Sequence, residues 1–473
     1  MGCKVGPDKS VPSFSGDPTW KSYTERQTDL RYNACWWKDF NDPILDQLVD
    51  QAICSNPDLK EAAFRVIESR ARFGVAVAER FPELRGTGEY SYRKISGNSS
   101  PFSLLSQDSF PLYSLGFTTA WQLDFWGKFR RVAEAAHAEI HVAENDRAAV
   151  LLTLQSDVAS AYITIRSIET RIGVAKENLE LQRQVLDAVE QRIVAGLVGA
   201  IDAEQAKTNL LALEATIPAL YVALEQSENR LSVLLGVPPR DLRSEWGTTS
   251  QIPFPINELL MGLPADLVRR RPDILATEQK LAAETARVGV AIADLYPQLS
   301  LTGTISVDST DVGALFTSPS LAHDIGPAFS WNLFNFGNVL NQIEGQEAKV
   351  NQAIWSYRST VLSAIQEVED ALVAYEQEQR RVELLNQAEA SAMRAVNLAQ
   401  RNYSRGLTRY QTVLDSLRSR LSIQDQQVVA KTTLALQRIA LYQALGGGWE
   451  CDPNVVDVEP MIFEPGLLQD PSF

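Results

Sequence analysis

The sequence predicts an α+β fold built as an internal tandem repeat, each copy a pair of amphipathic β-strands followed by a very long helical hairpin. Three observations predict it. First, five landmarks recur in one order at a nearly constant offset. Asn56-Pro57-Asp58-Leu59 returns as Arg271-Pro272-Asp273-Ile274, and Phe81-Pro82-Glu83-Leu84 as Tyr296-Pro297-Gln298-Leu299, each 215 residues later. Trp121-Gln122-Leu123-Asp124-Phe125-Trp126-Gly127 returns as Trp331-Asn332-Leu333-Phe334-Asn335-Phe336-Gly337, Gly196-Leu197 as Gly406-Leu407, and Leu235-Gly236 as Leu445-Gly446, all at 210. Second, Leu115, Phe117, Trp121, Leu123 and Phe125 alternate with Ser114, Gly116, Thr118, Ala120, Gln122 and Asp124, the two-residue period of a strand with one apolar face. Third, residues 128–195 and 338–405 each contain no Pro and a single Gly.

Residues 1–42 read as an extended N-terminal segment. The first copy, 43–237, opens with short helices that end near residue 80, because Pro82 bars the residue before it from the α region. A β-hairpin over about 84–126, with a polar loop at 97–101, precedes a helical hairpin over about 128–235. A Pro-rich linker, 238–263, leads to the second copy, 264–447. Its β-hairpin, about 298–336, alternates at Leu299, Leu301, Ile305 and Val307, and again at Ile325, Pro327, Phe329, Trp331 and Leu333, across a polar loop at 308–320. Its helical hairpin spans 338–445, and 448–473 is a tail. At 1.5 Å per residue each long helix runs on the order of 100 Å. Leu151, Leu154, Val158, Ala161, Ile165, Ile168, Ile172, Ala175 and Leu179 step by three and four, as do Leu385, Ala388, Ala392, Ala395 and Ala399. Such steps specify coiled-coil packing. Turns at Gly196 and Gly406 return the chain along a shorter helix.

Composition narrows the function. The 473 residues carry a net charge of −15, which argues against a nucleic-acid partner. Mean hydropathy is −0.14 and no apolar run approaches eighteen residues, so no transmembrane helix is expected, whereas alternating barrel strands would hardly register. Four strands cannot close a barrel alone, and an open edge in lipid leaves backbone groups unmet. Two, three or four copies would give eight, twelve or sixteen strands, a composite barrel continued by a helical tube. The cysteines are Cys3, Cys35, Cys54 and Cys451, with no C-x-x-C pair and no disulfide framework. A small residue, Gly2, stands directly before Cys3, as at a bacterial lipoprotein processing site, although no apolar signal core precedes it. Gly6 fits N-myristoylation of Gly2 poorly, and a free thiol is the other reading of Cys3. If Cys3 is acylated, at least one of the other three stays unpaired or pairs between chains.

The stretch Gly262-Leu263-Pro264-Ala265-Asp266-Leu267, Arg269-Arg270-Arg271-Pro272-Asp273-Ile274, then AIADLYPQLSL from Ala291 to Leu301, resembles the TolC-like outer membrane efflux proteins. The lipoprotein branch serving RND-type pumps is most similar, through Cys3 followed by Val5-Gly6-Pro7-Asp8, Trp37-Lys38-Asp39-Phe40 and Ala444-Leu445-Gly446-Gly447-Gly448-Trp449. The resemblance implies a homotrimer with a twelve-stranded transmembrane barrel and a periplasmic α-barrel, lipid-anchored in the outer membrane. It also implies a periplasmic adaptor (membrane fusion) protein and an inner-membrane RND-type pump as partners. A protein-secretion duct and a non-conducting trimeric coiled-coil scaffold are the alternatives. No catalytic residue, cofactor or metal is expected: His137 and His141 stand four apart, but Ala138 occupies the place where a metalloprotease needs Glu.

In such proteins the helix turns constrict the pore. Asp202 lies six residues past Gly196, and Asp415 nine past Gly406, as gate carboxylates would. Asp202 also reads as a helix N-cap with Gln205, worth about 1 kcal/mol. Asp415 also reads as a solvated partner of Arg418, worth a few tenths of a kcal/mol. Threefold repetition of either carboxylate would favour cations. Thr412 stands where the family has its second ring position. Tyr403 matches a family tyrosine that ties neighbouring hairpins shut, with Asp202 as its partner, or else it is a packed aromatic. Gly196, Leu197, Val198 and Gly199, with Gly406, Leu407 and Thr408, are the expected adaptor-docking turns, and their glycines also suit plain helix termination.

Overall fold

A computed structural model describes residues 4–10, 35–94, 109–246, 251–255 and 270–451. Cys3, the 97–101 loop and the 262–267 block lie outside the described residues. Helices α1 (Pro43–Ser55) and α2 (Pro57–Ala78) lead into strands β1 (Glu83–Lys94) and β2 (Ser109–Leu123). Then come α3 (Lys128–Val194), α4 (Ala200–Glu214), α5 (Thr216–Leu234) and the single turn α6 (Arg243–Trp246). Helix α7 (Pro272–Ala293) leads into β3 (Gln298–Ser309), β4 (Leu321–Ser330), α8 (Asn338–Ser404) and α9 (Tyr410–Ala444).

Local chemistry sets these bounds. Asp42 caps α1, its Oδ1 accepting from the Ile44 N–H at 2.9 Å. Asn56, held extended before Pro57, separates α1 from α2. The return helix expected over 200–235 is interrupted at Ala215. Pro218 is the cause, since in a continuous helix its ring would press on the Glu214 carbonyl and leave that carbonyl without a donor. The residue 210 positions on is Val428, and α9 runs unbroken for 35 residues.

Two compact units emerge, and neither coincides with either copy expected from the sequence. The first comprises Met1–Ser13, Arg65–Ala143 and Ala276–Arg358. It holds an antiparallel sheet of order β1-β2-β3-β4. Phe117 faces Ile305 across β2 and β3, and both remain exposed, at 60% and 50%. Strand β4 stops at Ser330, short of the alternation that reaches Leu333. Trp331 instead turns its Nε1 to the Leu295 carbonyl at 3.0 Å. Trp121 makes the same bond to the Arg80 carbonyl, also at 3.0 Å. Each indole thus meets the carbonyl two residues before a proline. The His137 and His141 rings lie 4.8 Å apart, and His137 packs on Phe73, so the pair joins an aromatic contact.

The second unit comprises Phe14–Phe64, Glu144–Leu275 and Ser359–Phe473. All nine seam residues from Leu151 to Leu179 are buried. The α8 seam differs: Ala395 is exposed and only Ala399 is buried. Helix α8 buries Val361, Ala364, Val368 and Leu372 instead, where Val368 and Leu372 share a cluster with Leu441 and Leu445. An 18-residue window of α3 reaches a mean hydropathy of 1.4, so a stretch apolar enough to cross a bilayer does exist. Two-thirds of that window is buried inside the protein, which makes it a core segment. Cys35 is bridged to Cys451, and Cys54 is an exposed free thiol.

The recurring Pro-Asp landmarks do equivalent work here. Asn56 Nδ2 donates to the Leu234 carbonyl at 2.9 Å, and Arg271 Nη1 to the Ala444 carbonyl at 2.9 Å, so each satisfies the open end of a return helix. Arg271 also bridges Asp273 at 2.8 Å and Glu367 at 2.7 Å.

Candidate functional site

The turns that end α3 and α8 share one geometry. Gly196 and Gly406 take φ of +70 and +74, the left-handed region that glycine enters without a Cβ penalty. Gly196 N–H donates to the Ile193 carbonyl and Leu197 N–H to the Arg192 carbonyl, at 2.8 and 2.9 Å. Gly406 and Leu407 repeat this with the Tyr403 and Asn402 carbonyls, both at 2.9 Å. Both are Schellman ends that satisfy the last helical carbonyls. A Cβ at either glycine would meet nothing within 4 Å. Gly196→Ala is therefore expected to cost about 1–2 kcal/mol through φ alone, with Gly196→Asn milder, measured by thermal unfolding. Leu197 and Leu407 stand 66% and 70% exposed at the tips, with Val194 and Ile201 exposed beside the first. Val198 packs inward against the cluster below. Gly199 caps α4, and Thr408 is half-buried with a hydroxyl that has no hydrogen-bond partner among the described residues.

Beneath the turns, Val189 and Ala206 from the first hairpin pack with Tyr403, Tyr410, Val413, Leu414 and Leu417 from the second. Tyr403 is 9% exposed, and its hydroxyl is unpartnered among the described residues. Arg192 Nη1 donates to the Tyr403 carbonyl at 2.6 Å, and its guanidinium lies 4.5 Å from the Tyr403 ring centre. Burial pushes the Tyr403 phenol up, Arg192 opposes, and the Asp202 charge adds to the rise. Burial likewise pushes Tyr410 to about 12, with Tyr403 and Asp202 adding. The Asp202 carboxylate thus acts electrostatically on both tyrosines, so residues of the two turns meet in one cluster.

The N-cap reading of Asp202 is overturned. Gly199, extended at φ −85 and ψ 156, is the N-cap, and Asp202 sits three residues into α4 with no capping bond from its side chain. There a carboxylate still favours the positive end of the helix dipole. The pairing of Asp415 with Arg418 is overturned as well. Arg418 donates from Nη2 and Nε to Asn209 Oδ1, at 2.6 and 3.0 Å, while exposed Asp415 accepts from Gln411 at 2.9 Å.

Over residues 48–237 and 263–447 the chain matches the outer membrane efflux protein family. It belongs to that family. Among relatives of this efflux protein, the pyoverdine export outer membrane protein OpmQ of Pseudomonas putida is 30% identical over 436 residues, 92% of each chain. The cation efflux system protein CusC of Escherichia coli is 28% identical over 455 residues, covering 95% of this chain and 96% of that one. The outer-membrane channel OprN superposes with a TM-score of 0.87 at 32% identity, covering 95% of this chain and all of that one. The TolC-like resemblance therefore holds, and the structural neighbours are outer-membrane channels. Two residues that organise the site of this efflux protein are not singled out by the sequence pattern, Arg192 and Tyr410. Their signals are an Arg in the last turn before Gly196 and an aromatic at the first position of α9.

Proposed function

We propose that the chain is the outer-membrane component of a tripartite RND-type efflux system, a passive gated duct carrying small molecules from periplasm to exterior. Three copies, each a tandem repeat, close a twelve-stranded barrel that the long helices continue into the periplasm. The open sheet carries this reading. β1 and β4 end the strand order, and among the described residues neither edge has a further strand. In lipid each unmet backbone group costs several kcal/mol, and pairing β1 of one copy with β4 of the next removes that cost. Exposed Trp355, Leu362, Val373, Leu384 and Leu398 on α8, with exposed Ala395, offer a face for a neighbouring copy's helix.

In the same reading Cys3 carries the lipid anchor, and Asp202, Tyr403 and Asp415 form the periplasmic gate. The turns at Gly196, Leu197, Val198 and Gly199, and at Gly406, Leu407 and Thr408, dock the adaptor that links the duct to its inner-membrane pump. Relatives are named for pyoverdine export, cation efflux and solvent efflux, a range that fits a duct whose cargo is selected by its pump. Planar-bilayer recording tests the proposal. The purified protein is expected to give a steady, low, cation-selective conductance that rises severalfold in Asp202→Ala, Asp415→Ala or Tyr403→Phe. A folded, inserted trimer that conducts nothing in any of these forms would favour the scaffold and sink the duct.

A further inference from the structure

The sheet joins its two hairpins at β2 and β3, where no turn sets the register: 174 residues lie between Leu123 and Gln298. Closing so long a loop is entropically costly, and a one-residue slip would turn the apolar face over. The elements flanking these two strands, the start of α3 and the body of α7, are placed to bear on that register. Residues 4–9 lie against both.

Arg131, 1% exposed, is the centre of these contacts. The guanidinium donates to the Val5 carbonyl at 3.0 Å and the Gly6 carbonyl at 2.8 Å, and pairs with Asp8 at 3.1 Å and Glu134 at 3.0 Å. Val5 N–H returns a bond to the Trp126 carbonyl at 3.2 Å. Lys4 reaches Glu134 at 2.7 Å, and Lys9 reaches Glu278 on α7 at 2.8 Å. Two glycines open the space. Gly6 has φ of +90, and a Cβ there would lie 2.4 Å from Gly289 Cα. A Cβ on Gly289 would lie 2.7 Å from Arg131 Nε. A glycine inside a 22-residue helix costs roughly 1 kcal/mol relative to Ala, so Gly289 has a reason to be there, which is the passage of Arg131 and the segment above it. The Arg131 hydrogen bond and charge also hold the Asp8 carboxyl below its ordinary value.

We propose that residues 4–9 are an intramolecular ligand, seated by Arg131 against Gly289, that staples α3 to α7 and so sets the register in which the two hairpins pair. The specificity is legible in the contacts: a lysine, a glycine two residues on, an aspartate two further, then a lysine. Lys4 itself lies beside Gly127, where a Cβ would lie 3.0 Å from Lys4 Cα.

The test uses the full chain carrying Gln122→Cys and Ser300→Cys, which face each other across β2 and β3. Two readings are taken, the yield of that cross-link and the rate of tryptic cleavage after Lys4 and Lys9. Gly6→Val, a change confined to the segment, is expected to speed cleavage at least tenfold and to lower cross-linking at least threefold. Arg131→Gln should do the same, and Arg131→Lys, keeping the charge but not the forked donors, should fall between. Unchanged cleavage in Gly6→Val overturns the seating, and rapid cleavage with wild-type cross-linking overturns the role in register.

Discussion

Cys451→Ser is expected to lower the unfolding free energy of the helical body by several kcal/mol. The bridge from Cys35 joins positions 416 residues apart, and both cysteines, half-buried, pack against the core. By the chain-entropy relation such a closure is worth about 6 kcal/mol, above the few kcal/mol that native bridges usually return. The contacts it secures are substantial. Trp36 and Trp37 are buried, Trp36 stacks on Tyr442 at 5.3 Å, and the Tyr442 hydroxyl donates to Asp39 at 2.9 Å. Gly448 packs against Gln155 and the Trp36 indole, which accounts for a glycine at that position. Chemical denaturation with and without reductant measures the effect. Reductant should lower the midpoint of the wild-type protein and leave Cys451→Ser where it is. A reduced wild type as stable as the oxidised one would remove the bridge from the account.

The second large effect is pH-dependent. Glu228 on α5 is 1% exposed and pairs with Arg243 in the short turn α6. Burial raises its carboxyl from 4.5 to about 7; Arg243 opposes, and the charges of Glu225, Asp241 and Glu169 add to the rise. A folded-state value above the unfolded one means that the protonated form is the better accommodated. The contribution of Glu228 is therefore most favourable below about 4.5, and is lost as pH rises through about 7. Glu228→Gln keeps an acceptor for Arg243 without a charge to bury. It should match the wild type at pH 4 and exceed it by about 3 kcal/mol at pH 8, the order of magnitude set by 1.36 kcal/mol per unit. Denaturation midpoints at the two pH values decide it, and equal gaps at both would show that desolvation does not govern this carboxyl.

What is legible in the sequence follows the range of the interactions. The seam from Leu151 to Leu179 and the glycine turns depend on residues a few positions apart, and periodicity reports such neighbours directly. Asp202 mimics a cap in sequence because the helix start depends on the φ and ψ of Gly199, which no side-chain pattern encodes. Spacing pairs Arg418 with Asp415, its neighbour on one helix, but Asn209 on another hairpin accepts from its Nη2 and Nε. The first return helix reads as continuous because its apolar pattern outweighs one proline. The α8 seam reads as covered like that of α3, yet Ala395 lies open in the single chain. The pairing of Cys35 with Cys451 and the seat of residues 4–9 join positions 416 and 126 residues apart, beyond the reach of local spacing.

The proline that interrupts the first return helix has a mechanical consequence. Within one chain, one of two corresponding return helices is broken at Ala215, while the other, α9, is continuous over its whole length. A load path from the Gly196 turn meets that break, whereas one from the Gly406 turn runs along an unbroken helix. The two hairpins of each chain are therefore not mechanically equivalent: the backbone ladder is interrupted in one return arm and whole in the other.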